Sequence, residues 1–294
     1  MNHQEGFFNE SRIFYQAWLP ESDSKAVLLV IHGLAEHSGR YMNVVNHFIP
    51  LRYAVYGFDH IGHGKSGGAR VYVERFQDFT DTIKTYYDMI QIWQPGKPIF
   101  IIGHSMGGLI AAVYLLDHQQ DFAGAVLSGP GVKIPDHISS GTITIAKIFS
   151  KLMPKLGLIK IEADGISHDP AVVSEYINDP LICTGKVTAR LAGELLGATQ
   201  RITAEADKIT LPVLIVHGGA DKLVGNDASR LFHDRISSVN KTLKIYPELY
   251  HEVFNEPERS LVLRDVEDWI ESVLKAKSMF IPVYAFMTAD LMAC

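Results

Sequence analysis

Between Pro98 and Leu109 the chain reads PIFIIGHSMGGL, and this stretch leaves few folds open. Ile99 to Ile102 is a short apolar run rich in branched side chains, as in a strand buried on both faces. Gly103-His104-Ser105-Met106-Gly107 follows at once, and Gly108 to Leu116 then reads as a helix. Strand, Gly-x-Ser-x-Gly, helix is the pattern of a nucleophile elbow. A turn this tight strains its central residue, and the flanking positions must lack side chains for it to close. Ser105 is thereby lifted to the top of the sheet. The first helical amide, at Met106, points where an oxyanion would develop. An incidental serine in a glycine-rich turn is the competing reading; the strand before and the helix after favour the functional one.

The rest of the chain is consistent with a sheet around this strand. Phe7 to Asn9 and Arg12 to Leu19 predict two antiparallel edge strands. Buried strands are predicted at Ala26 to Ile31, Tyr53 to Phe58, Gly124 to Leu127 and Pro212 to Val216, and a last one at Lys241 to Tyr246. Helical spacing marks Phe76 to Trp93, Asp227 to Ile236 and Arg259 to Lys275. Alternating strands and helices imply right-handed crossovers and a covered sheet. The alternation stops from Asp136 to Ala206, where Ile143 to Leu158 is amphipathic and interrupted at Pro154. Lys160 to Asp179 reads as a polar loop, and Val187 to Thr203 as a second helical stretch. The expected fold is α/β, a mostly parallel eight-stranded sheet flanked by helices, with a helical cap insertion. Residues 1–134 and 207–277 would form the core, 135–206 the cap, and 278–294 an apolar tail without an assigned role.

Several function classes are disfavoured. A net charge of −6 argues against nucleic acid as a partner. The start, Met1-Asn2-His3-Gln4-Glu5, has no signal-peptide character, and no run is long and apolar enough to span a bilayer, so a cytoplasmic location is expected. Cys183 and Cys294 suggest no disulfide framework. His32, Glu36 and His37 lack a third partner at metalloprotease spacing, so no metal is expected. Gly62, Gly64 and Gly67 imitate a dinucleotide motif and Gly64-Lys65-Ser66 the end of a P-loop. The first lacks a helix after it, the second has Asp59 where its first glycine belongs, and a structural turn is the better reading.

Serine becomes a nucleophile when a base takes its proton, and the base must be held by an acid. The order serine, acid, histidine is available here. Asp221 follows a buried strand and two glycines, and His251 lies on the loop after the last strand. Asp227 is too far into the next helix and Glu248 too near His251 to serve as well. The strand ending at Ile31 runs into His32-Gly33-Leu34, where the amide of Leu34 is the expected second oxyanion donor.

HGLAEHSGRY, GFDHIGHGKSGG, GHSMGG, PVLIVHGGADKLV and YHEVFNE stand in the order and spacing of the monoacylglycerol lipase family, which also holds bacterial and plant lysophospholipases. The chain resembles that family from about Ile13 to Leu274. The resemblance implies an α/β-hydrolase fold with a helical cap, cofactor-free hydrolysis of a single-chain acyl ester, and peripheral membrane contact through the cap. It supports Ser105, Asp221 and His251 as triad and Leu34 and Met106 as oxyanion donors. Tyr176, three positions before Asp179-Pro180-Leu181, matches a cap tyrosine that approaches the glycerol. Glu36 and Arg40 match motif positions near the polar end of the pocket, where a structural ion pair is an equal reading. Among the apolar residues between Ile143 and Leu158, Ile148 and Leu152 are expected to line an acyl tunnel, with simple packing on the core an equal reading for most of the run. The alternatives are a lysophospholipase, a generalist carboxylesterase and, from another class, a silent binding module on the same fold.

Overall fold

In the computed structural model, the described residues are 1–136, 138–160 and 162–279. The chain opens with an antiparallel pair, β1 (Asn2–Phe8) and β2 (Ile13–Leu19), and enters the core at β3 (Ala26–Ile31). There follow α1 (Met42–Phe48), β4 (Tyr53–Phe58), α2 (Gln77–Trp93), β5 (Ile99–His104), α3 (Met106–His118) and β6 (Gly124–Ser128). An inserted segment carries α4 (Ser140–Leu152), β7 (Gly157–Ile159), α5 (Pro170–Asn178), β8 (Val187–Thr188) and α6 (Ala189–Glu205). The core resumes with β9 (Val213–Gly218), α7 (Asp227–Arg235), β10 (Lys241–Tyr246) and α8 (Arg259–Met279).

The described residues build an eight-stranded sheet in the order β1-β2-β4-β3-β5-β6-β9-β10, parallel from β4 to β10. Its central strands are buried at every position because both faces are covered. Val27, Leu29 and Ile31 join the core under α2 and α3, whereas Ala26, Leu28 and Val30 join the core under α1 and α8. That two-residue alternation puts helices on both faces of the sheet. The chain winds outward in both directions from β3 and β5. Their carboxyl ends therefore flank a crevice, the usual ligand position in such sheets.

The structure departs from the sequence reading in three places, two of them in the insertion. Lys160 to Asp179 is not all loop. The Asp169 side chain accepts the amide of Ala171 at 2.8 Å and Pro170 opens α5, a capped start that seeds a short helix in a polar stretch. The amphipathic run from Ile143 ends at Leu152, and Leu158 belongs to β7, which pairs with β8. Helix α1 was not anticipated. The insertion is tied to the core mainly through its second half: α6 packs on α3, and the amide of Cys183 donates to Ala35 O at 2.8 Å. Ser278 and Met279 complete α8, and the remainder of the expected tail, to Cys294, lies outside the described residues.

Candidate active site

Ser105 caps α3 with φ 54° and ψ −117°, a backbone conformation that side chains rarely adopt. Space makes the flanking glycines obligatory. A Cβ on Gly107 would lie 2.1 Å from the carbonyl oxygen of Ile31, and one on Gly103 2.6 Å from that of Gly107. The turn is pinned by the Ser105 amide donating to Ser128 O at 2.9 Å and by Ser105 O accepting from Gly131 N at 3.1 Å. Met106 is the first residue of α3, so its amide is one of those without an intrahelical acceptor.

Asp221 and His251 reach the same sheet edge from the loops after β9 and β10. His251 Nδ1 lies 2.6 Å from Asp221 Oδ2. A carboxylate only accepts, so Nδ1 carries the hydrogen and Nε2 is left as a base. The ring leans on His104, 4.7 Å between centroids. Asp221 Oδ1 accepts the amides of Leu223 and Val224 at 2.8 and 2.9 Å. Burial alone would raise this carboxyl, but hydrogen bonds from His217 and His251 and the Val224 amide hold it well below the usual range. The rival acids are elsewhere: Asp227 pairs with Lys133 and Glu248 is exposed.

Ser105, His251, Leu34, Glu36 and Tyr176 line one cavity of about 310 Å³. Gly33 approaches so closely that a Cβ there would meet Ser105 Cβ at 3.2 Å, which brings the next amide, that of Leu34, beside the serine. Glu36 holds this corner: its Oε1 accepts the Gly33 amide at 2.5 Å and the Tyr41 hydroxyl at 2.8 Å. Arg40 lies 3.4 Å from Glu36 Oε2, donates to Glu252 Oε2 at 2.5 Å, and sits 4.8 Å from the Tyr176 ring. Burial and the nearby Glu252 push the Glu36 carboxyl up to about 7 against the pull of Arg40. Sequence reasoning missed Glu252; its place directly after His251 was the available signal. A separate polar cavity of about 440 Å³ lies on the other side of Arg40, toward Asp169, Asp179 and Arg259.

An apolar cavity of about 500 Å³ opens under α4, lined by Ile143, Ile145, Phe149, Leu158, Leu195 and others. Leu34 lines this cavity and the one holding Ser105. Ile148 and Leu152, the residues expected in its wall, are absent from both linings and are 49% and 75% exposed. On a helix of 3.6 residues per turn, Thr142, Ala146 and Phe149 share the inner face, and 148 and 152 are rotated away from it.

The glycine-rich turn after β4 is structural. Asp59 Oδ1 accepts the amide and hydroxyl of Ser38 at 2.8 and 2.6 Å, and its Oδ2 takes the Lys65 amide at 2.8 Å. His32 is spent on Gly33 O and the His60 amide, and His37 faces Asp179 at 2.9 Å. Among the described residues no cluster of His, Cys, Asp or Glu is arranged to hold a metal ion.

The hydrolase family described as serine aminopeptidase, S33 matches residues 22–258. A monoacylglycerol lipase of Mycolicibacterium smegmatis is 41% identical over 263 residues, covering 90% of this chain and 94% of the relative. The monoglyceride lipase of Homo sapiens is 34% identical, covering 88% and 86%. The crystal structure of Paleococcus ferrophilus monoacylglycerol lipase superposes with a TM-score of 0.81 at 27% identity, covering 89% of this chain and 99% of that one.

Proposed function

The chain belongs to the serine aminopeptidase S33 family of hydrolases, and we propose that it cleaves the carboxylic ester of monoacylglycerols. One observation carries the substrate class: the cavity at Ser105, whose lining includes the polar side chains of Glu36, Tyr176 and Lys222, shares Leu34 with a separate apolar cavity under α4. An ester with a small polar alcohol and one long chain fits that division.

In this reading Ser105 Oγ attacks the ester carbonyl while His251 Nε2 takes its proton, and Asp221 stabilises the imidazolium that forms. The amides of Leu34 and Met106 receive the oxyanion. His251 returns the proton to the departing glycerol oxygen, leaving an acyl-serine that water, activated by the same imidazole, releases as fatty acid. Glu36 and Tyr176, which line the catalytic cavity, receive the glycerol hydroxyls, and Arg40, expected there from the sequence but outside that lining, acts from behind them through its contacts with Glu36 and the Tyr176 ring.

A chain-length series tests the substrate class. Burying one methylene contributes about 0.8 kcal/mol, roughly fourfold in rate. With monomeric monoacylglycerols, kcat/KM is expected to climb by up to about fourfold per methylene and level off once the cavity is full. Phe149→Asp should depress long-chain turnover and spare short-chain esters, whereas Leu152→Asp should alter neither on monomeric substrate. A flat profile from acetyl to decanoyl esters would reject the acyl cavity.

Ile148, Leu152 and Met153 are exposed on or beside α4, with Lys151 and Lys155 close in sequence. That combination supports lipid-surface contact by α4, although no helix among the described residues is long and apolar enough to cross a membrane. A second reading, a lysophospholipase, has its own support: Lys160 and Lys222 line the catalytic cavity and would suit a phosphate. Turnover of a lysophospholipid relative to the monoacylglycerol of equal chain length separates the two.

A further inference from the structure

Asp221 has a second imidazole on the oxygen that faces His251. His217, the fifth residue of β9, is completely buried, and its Nε2 lies 3.1 Å from Asp221 Oδ2. We propose that His217 is a positioning residue for the candidate catalytic acid, so that one carboxylate oxygen is shared between two imidazoles. The proposal rests on the triad reading above.

The partners of His217 leave little choice of tautomer. Nε2 faces two groups that can only accept, Asp221 Oδ2 and the carbonyl of Val224 at 2.9 Å, so it carries the hydrogen. Nδ1 lies 2.6 Å from the hydroxyl of Ser229 on α7, itself fully buried, which donates to the bare nitrogen. The ring is thus clamped at both ends as a neutral donor. With Oδ1 taken by two backbone amides and Oδ2 by His217, the carboxylate plane is fixed before His251 meets it.

Two consequences follow from the sharing. A donor on Oδ2 draws charge from the oxygen that His251 uses, which tempers the stabilisation of the imidazolium. The same donor keeps the carboxylate from rotating away. Loss of His217 should therefore lower kcat through misalignment and also move the acid limb of the kcat/KM profile to higher pH. The titratable groups around the ring are Asp221 and Lys222 on its own loop, His251 after β10, and His104 stacked on His251. Helix α7 presents the uncharged Ser229, and its first residue, Asp227, is occupied by Lys133.

The test compares His217→Leu with His217→Gln, whose side-chain amide can still donate toward Asp221. His217→Leu is expected to lower kcat about 10- to 100-fold with KM unchanged and to move the acid limb up by about half a pH unit. His217→Gln should stay within about threefold of wild type with its limb unmoved. Equal losses in both variants without a shifted limb would mean that His217 only closes the β9–α7 loop, and the proposal would be overturned; so would a His217→Leu enzyme indistinguishable from wild type. If His217→Leu does not fold, Ser229→Ala unlocks the tautomer while keeping the ring. A smaller shift of the same sign is then expected, and an unmoved limb counts against the proposal. Ser105→Ala separates the two levels of inference. Activity surviving in that variant removes the triad reading itself, whereas an inactive Ser105→Ala beside a wild-type-like His217→Leu removes only the second imidazole.

Discussion

Replacing Ser105 or His251 by alanine is expected to lower kcat by on the order of 10⁶, and Asp221→Asn by about 10⁴, as in other serine triads. Combining the substitutions should add little, because the three side chains of the proposed triad would act as one unit. The asparagine case has a particular reason in this chain. Oδ1 accepts the Leu223 and Val224 amides, while Oδ2 accepts from His251 and lies 3.1 Å from His217 Nε2, whose one hydrogen it shares with Val224 O. An amide group must turn its NH₂ toward one of these pairs, so either the loop or the imidazoles lose their acceptor. Steady-state turnover of a short-chain ester, with fluorophosphonate labelling of the serine as a second readout, checks the series. Near-full activity of Asp221→Asn would mean that another group orients His251.

Acid should unfold this protein through its buried histidines. Burial, with His63 close by, holds His60 down to about 3, and burial holds His63 down to about 4. His60 Nε2 donates to His32 O and His63 Nδ1 to Ile61 O, each at 3.0 Å, while His60 Nδ1 and His63 Nε2 have no partner to receive an added hydrogen. The unfolded chain protonates near 6.5, the native one only below 4. The native state therefore has its full share of stability above about 6.5 and loses it as pH falls toward 4 and 3. The loss is on the order of 3 kcal/mol per ring, large beside a typical total of about 5–15 kcal/mol. Glu36 acts oppositely. Its carboxyl is raised to about 7, so its contribution is present below about 4.5 and fades as pH rises, which offsets part of one histidine's effect. Urea melts from pH 8 to pH 4 should show stability falling with acidification. His63→Asn, which can still donate to Ile61 O, should flatten that slope by about one proton. An unchanged slope would mean that His63 is not held neutral.

Legibility followed the physics of each element. Strands β3, β4 and β10 lie where their sequence places them, because burial or pairing at successive residues leaves a continuous signal. The elbow was equally plain, since only glycines fit beside Ser105. Helix α5 was hidden in a polar stretch whose one cue was Asp169-Pro170. The direction of Ile148 and Leu152 was not readable at all. The amphipathic run announces a helix, but its rotation is set by packing against α6, a contact distant in sequence. His217 was concealed by its setting: a histidine closing an apolar strand looks like a core residue until the loop brings Asp221 back over it.

Leu34 stands where chemistry and selectivity meet. The residue borders both the catalytic cavity and the apolar one, while the group proposed to receive the oxyanion is its backbone N–H. Every residue except proline supplies that N–H. Under the proposed function, position 34 can therefore be trimmed or enlarged, resetting which acyl chains enter, without discarding the donor. Divergence in substrate range has an inexpensive route in this architecture, one codon wide and beside the reacting carbon.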